Sequence, residues 1–125
     1  MRIALDIDDT ITRCPEFFSF ISKALIDAGH KVIIITFRYD RLETKRFLVE
    51  LGIQYTTLVT SNLHTDYYDD VNTWKGEVCS RYKVDIFFED MPAVLQHVDP
   101  STLCFMPIEK NRTDMKTLAG EEETF

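Results

Sequence analysis

The sequence predicts an α/β domain in three layers, with helices over both faces of a five-stranded parallel sheet. Three observations point there. Short apolar runs rich in β-branched residues alternate with segments of helical period, the order of successive βαβ units. The run HKVIIIT at 30–36 is apolar without alternation, as a central strand covered on both faces requires. A chain of 125 residues suffices for one core and falls short of two.

Taken in order, RIALDI (2–7) reads as the first buried strand. Pro15 opens a helix, PEFFSFISKALIDA, which places Phe17, Ile21, Ala24, Leu25 and Ala28 on one face and stops at Gly29. The aromatics Phe17, Phe18 and Phe20 are expected in the core. After the second strand (30–36), Asp40 with Glu43 three residues on forms a capping box, and the helix it starts ends at Gly52. IQYTTLVT (53–60) predicts a third strand, and polar, aperiodic SNLHTDYYDDVN (61–72) a long loop. A helix from Trp74 to Tyr82, a strand KVDIFF (83–88), a short helix begun by Pro92 and running to His97, and a strand STLCFM (101–106) complete the domain. The compact domain is expected over 1–113, with 114–125 a polar tail that frays.

Composition narrows the function classes. A net charge of −7 argues against a general nucleic-acid binder, which grips phosphates with clustered Lys and Arg, though a local site for a small anion is compatible with it. Three cysteines, Cys14, Cys79 and Cys104, are odd in number and widely spaced, which predicts free thiols in a reducing compartment. No signal-peptide pattern and no stretch long enough to span a bilayer are visible, so the expectation is a cytoplasmic protein without membrane partners.

In a parallel sheet, ligands bind beyond the carboxyl ends of the strands. There the first strand delivers Asp6, Asp8, Asp9 and Thr10; the second, Thr36 and then Arg38; the third, Thr60, Ser61 and Asn62; the fourth, Glu89 and Asp90. Lys75 stands at the start of the helix leading into the fourth strand. Carboxylates crowded in one crevice raise one another's pKa unless cations offset them. Two cationic side chains do not balance so many acids, which implies a hard divalent metal such as Mg²⁺. The metal, Lys75, Arg38 and hydroxyl donors then suit a phosphoryl group, with one carboxylate to attack phosphorus and a second to handle protons.

These residues carry a resemblance. DIDDT (6–10), IIIT (33–36), Lys75 and IFFED (86–90) are similar, in order and spacing over about residues 1–106, to the four motifs of the haloacid dehalogenase (HAD) superfamily of phosphohydrolases. The texture of ALDIDDTIT, ITFR with LGIQY, and FFEDMPAVL resembles small bacterial 5′-nucleotidase-like members. The resemblance implies a Rossmann-like core with little or no cap domain. It also implies a Mg²⁺-dependent phosphatase acting on a small phosphorylated substrate, a nucleotide for example, through an aspartyl-phosphate. In that reading Asp6 is the nucleophile and Asp8 the general acid and base. Thr36 and Lys75 hold the phosphoryl group, with Arg38 a further candidate contact. Asp6, the backbone carbonyl of Asp8, and Asp90 hold the metal, with Glu89 behind them. Two positions depart from the pattern: Asp9 stands where glycine is common, and Glu89 where a second aspartate is common.

Several plainer readings compete. A strand-end turn with capping acids explains one aspartate but not three with a matching acidic pair. His64, Tyr67 and Tyr68 of the long loop are expected to be a solvated connection, with a base-stacking role for either tyrosine as the sharper alternative. A receiver domain fails on position, since its phosphorylated Asp belongs at the end of the third strand, where this chain has Thr60. A nucleic-acid 3′- or 5′-end phosphatase is the nearer rival, favoured by an open site. A non-catalytic regulator keeping the fold would be marked by loss of Asp6 or Asp8, and both are present. A homo-oligomer that covers the open site is a further expectation without an exposed apolar pattern to support it.

Overall fold

A computed structural model describes residues 1–61 and 71–108. The loop aromatics His64, Tyr67 and Tyr68 and the tail 114–125 lie outside the described residues. Among the described residues five parallel strands form one sheet: β1 (Arg2–Leu5), β2 (Lys31–Ile35), β3 (Thr57–Val59), β4 (Ile86–Phe88) and β5 (Leu103–Phe105), in the spatial order β3-β2-β1-β4-β5. The register pairs Leu5 with Ile34 on one side and with Phe88 on the other, so β1 is central. Chain order runs outward from β1 to β3, then crosses to the other side for β4 and β5. That reversal is the switch point at which the carboxyl ends of β1, β2 and β4 open a crevice.

Alternation along each strand sorts the core into two layers. Ile3, Leu5, Val32 and Ile34 face one cluster with Phe18 and Leu48. Ala4, Ile33, Ile35 and Phe87 face the other with Trp74, Val78 and Val94. The helices α1 (Pro15–Asp27) and α2 (Arg41–Glu50) thus cover one face, and α3 (Asn72–Arg81) and α4 (Pro92–Leu95) the other. This is the expected three-layer α/β/α architecture. Among the described residues no helix is long and apolar enough to cross a membrane.

The helix ends follow the sequence signals. Asp40 Oδ1 accepts from the Glu43 amide at 3.0 Å, forming the Asp40 half of the box. At Gly29 (φ 88°) the amides of Gly29 and His30 donate to the carbonyls of Ile26 and Leu25, both at 2.9 Å, a Schellman closure that needs the left-handed backbone glycine adopts freely.

Other expectations need correcting. The strands are shorter than the apolar runs: 53–56 is not strand, although Ile53 is buried, and Lys83 sits at φ 54° in a turn ahead of β4. The third helix begins at Asn72, two residues before Trp74, and the fourth ends at Leu95, before His97. A short 3₁₀ turn, Ile11–Arg13, intervenes between β1 and α1. The buried stripe of α1 is Phe18, Ile21, Ser22, Leu25 and Ile26. Phe17 and Phe20 are 45% and 70% exposed, and Ala24 and Ala28 are exposed too. Rotation of the helix by one residue answers to Ser22, a polar side chain with a use inside: it accepts from the Gln54 amide at 3.1 Å, tying the segment before β3 to α1.

Candidate functional site

Asp6 follows directly on β1, and its amide still donates to the Phe88 carbonyl of β4 at 3.0 Å. Glu89 in turn follows β4, its amide donating to Phe105 of β5 at 3.1 Å. The sheet ladder therefore carries both acids one step past its own end, side by side and buried. Asp6 is 4% exposed and Glu89 is fully covered.

Lys75, in the first turn of α3, reaches into the same place and is itself 1% exposed. Its Nζ donates to Asp6 Oδ1 and to Glu89 Oε2, both at 2.7 Å, and lies 4.5 Å from the centroid of the Phe37 ring. The second Asp6 oxygen, Oδ2, accepts from Thr10 Oγ1 at 2.8 Å, and Glu89 Oε1 accepts from the Met91 amide at 3.3 Å. Both carboxylates are thus held by both oxygens, and rotation of neither is free.

The charges do not cancel. Burial pushes Asp6 up to about 6, against the pull of Lys75 and Thr10, with Asp90 adding to the rise. Burial likewise pushes Glu89 to about 8, opposed by Lys75 and reinforced by Asp6. On Lys75 burial works to release the proton, but Asp6 and Glu89 together outweigh it and hold the ammonium above its ordinary range. One lysine faces two carboxylates, with Asp90 beside them. Oxygens of Asp6, Glu89 and Asp90 lie within 4.8 Å of one another, and this all-oxygen acidic cluster can hold a metal ion. The donor set is one a hard cation favours, and a bound cation would offset the burial that raises both carboxyl pKa values.

Around this centre the structure places the remaining sequence candidates. Thr36 follows directly on β2, 1% exposed, and its Oγ1 accepts from the Arg38 amide at 3.1 Å. Asp8 is exposed and paired with Arg38, whose Nε and Nη2 donate to Oδ2 and Oδ1 at 3.0 and 2.8 Å. That fork holds the Asp8 carboxyl below the usual carboxylate range. So Asp6, Lys75, Glu89 and Asp90 form one group and Asp8, Arg38 and Thr36 a second, linked through the chain between Asp6 and Asp8. Asp9 belongs to neither. It stands at φ 62° in the turn, the left-handed backbone that explains why glycine suits this position, and its amide donates to Thr12 Oγ1 at 2.9 Å.

Sequence reading left Thr10 without a role, although its place in DIDDT was the signal for it. It also missed Phe37 and Phe47, the rings beneath Lys75 and Arg38, for which no spacing rule in the chain gives notice. Gly76 was missed as well: a Cβ there would collide with the backbone carbonyl of His97, so the glycine lets α3 sit close to the turn after α4.

No family model matches the sequence, and no curated protein matches it. The fold is similar to a chain in the structure of the Pnkp1/Rnl/Hen1 RNA repair complex, with a TM-score of 0.68 and 23% identity over 85% of this chain. A chain in a second Pnkp1/Rnl/Hen1 complex structure gives a TM-score of 0.66 and 20% identity over the same share. The protein spans less than half the length of either, 42% and 45%. At these identities the likeness is one of fold: a five-stranded parallel α/β core of Rossmann-like type.

Proposed function

We propose that the protein is a Mg²⁺-dependent phosphatase that hydrolyses a phosphate monoester through an aspartyl-phosphate on Asp6. The observation that carries this reading is the buried Asp6 carboxylate, held by Lys75 at 2.7 Å and Thr10 at 2.8 Å at the end of the central strand. A structural carboxylate gains nothing from such a place, because desolvation costs as much as the ion pair returns. A nucleophile gains orientation and a neighbouring cation for the charge it receives.

In the reaction, an Asp6 oxygen bonds to phosphorus as the ester oxygen leaves, taking a proton from Asp8. Asp8 then takes a proton from the water that bonds to phosphorus as the bond to Asp6 breaks, releasing inorganic phosphate. Lys75 offsets charge on Asp6 and the phosphoryl oxygens, and the Thr36 hydroxyl donates to one of those oxygens. Asp6, the Asp8 carbonyl and Asp90 would hold Mg²⁺, with Glu89 behind them keeping Lys75 in place. The ion supplies electrostatic stabilisation of the phosphoryl oxygens. Acid–base help of this kind contributes about 10²–10⁴ in rate, and positioning with charge stabilisation supplies most of the remainder.

Two substrate readings stand within it. A free nucleotide fits the net charge of −7, which does not favour a polyanion. A phosphorylated RNA or DNA end is favoured by the likeness of fold to chains of an RNA repair complex. Turnover of a chromogenic phosphate ester with and without Mg²⁺ tests the reaction. Parallel assays on 5′-nucleotides and on 3′- and 5′-phosphorylated oligonucleotides separate the substrates. A metal-independent or absent turnover contradicts the proposal.

A further inference from the structure

From sequence Arg38 is a candidate phosphate contact, yet in the structure one edge of its guanidinium, two of five N–H donors, is given to Asp8. Nε and Nη2 fork onto the two oxygens of Asp8 at 3.0 and 2.8 Å. The guanidinium lies 4.3 Å from the Phe47 ring centroid, supported from α2. Its own backbone is tied on both sides: the amide to Thr36 Oγ1 at 3.1 Å, and the carbonyl to the Ser61 amide at 2.9 Å. Arg38 is therefore fastened to the ends of β2 and β3 and braced by an aromatic ring, with its fork turned to a residue of the β1 end.

Stability does not account for this. The two side chains are 31% and 56% exposed, and a pair so open to water adds on the order of 1 kcal/mol or less. What a bidentate fork adds beyond energy is direction, because it removes the freedom of the carboxylate plane.

We propose that Arg38 is a positioning residue for the phosphatase reaction: it holds the Asp8 carboxylate for hydrolysis of the aspartyl-phosphate, in preference to serving as a primary phosphate ligand. The inference rests on the reaction proposed above. In the step concerned, the water oxygen bonds to phosphorus and the P–O bond to Asp6 breaks. The water proton passes to Asp8, and the Asp6 carboxylate and inorganic phosphate are regenerated. A carboxylate aimed by the fork accepts that proton in line; one that rotates freely does so only in a fraction of its orientations.

The test uses p-nitrophenyl phosphate, whose leaving group needs no proton, so that formation of the phosphoenzyme is insensitive to Asp8. Arg38→Met should leave formation and kcat/KM nearly unchanged and slow breakdown by about 10–100-fold, a fraction of the acid–base contribution, so that kcat and KM fall together. Acid-quenched protein would then carry more phosphoryl label at steady state than wild type. Phe47→Leu, which keeps the arginine and removes its brace, should shift the same balance less. If Arg38→Met instead raises KM without accumulating label, or changes neither rate, Arg38 is not positioning Asp8 and the proposal is overturned. Should Arg38→Met fail to fold, Arg38→Lys, which keeps the charge but lacks the fork, decides by the same readouts. Wild-type protein that turns over no ester and takes up no label would instead overturn the phosphatase reading itself.

Discussion

Lys75 Nζ stands 2.7 Å from Asp6 Oδ1 and the same distance from Glu89 Oε2, a single buried ammonium shared by two carboxylates from neighbouring strands. Breaking such a group from the lysine side leaves two uncompensated acids. Lys75→Met should lower stability by about 3–5 kcal/mol at pH 8. The loss should shrink near pH 5, where the acids accept protons in place of the cation. Urea denaturation at the two pH values checks both parts.

The pH dependence of the metal-free protein follows from the same cluster. Asp6 and Glu89 hold their protons up to about 6 and about 8, above their ordinary 3.8 and 4.5. The folded chain thus binds protons that the unfolded chain has released. This contribution is fully present below the ordinary values and is lost as pH rises through the raised ones. Lys75, raised above 10.5, keeps its contribution throughout this range. The melting temperature without divalent metal should therefore fall between pH 5 and pH 8.5. Added Mg²⁺ should restore more of it at pH 8 than at pH 5, since the metal needs the ionised acids. A Mg²⁺ effect equal at both pH values would count against the cluster as its site.

Asp9 is strained rather than electrostatic. At φ 62° an L-residue other than glycine pays up to about 1–2 kcal/mol, aspartate less than most. Asp9→Gly should leave the melting temperature level or raise it slightly, with turnover retained. Asp9→Val should lower it clearly. A loss of metal affinity in Asp9→Gly would show that the side chain serves the site after all.

Gly76 sets two effects against each other. Alanine is the better helix former by about 1 kcal/mol. Its methyl group, however, would meet the His97 carbonyl, and backbone cannot step aside as a side chain can. Overpacking costs about 1–3 kcal/mol, so the clash wins and Gly76→Ala should be less stable. Because Lys75 precedes it on α3, turnover should fall further than stability alone accounts for, measured well below the melting range.

Much of this was legible in the chain, and the reasons are local ones. The unbroken β-branched run at 32–35 and the glycines at 29 and 52 announce a covered strand and two helix ends, because each depends on its own neighbourhood. The acids at 6, 89 and 90 were legible as a cluster, since a parallel sheet brings the ends of its strands together whatever the loops do. Phe47 beneath Arg38, and Gly76 against His97, were not. They depend on how whole helices are placed, and nothing nearby in the chain encodes that. The α1 face was misread for a related reason: hydrophobicity pointed to Phe17, whereas Ser22 has a hydrogen-bond partner inside that only the folded chain supplies.

Attack of Asp6 on phosphorus is tested by phosphate release from a chromogenic monoester by Asp6→Asn beside the wild type at saturating Mg²⁺. The substitution keeps the shape and removes the nucleophilic carboxylate. The wild type should turn over, while the folded variant neither turns over nor takes up phosphoryl label. Turnover in Asp6→Asn at the wild-type rate would contradict attack by Asp6.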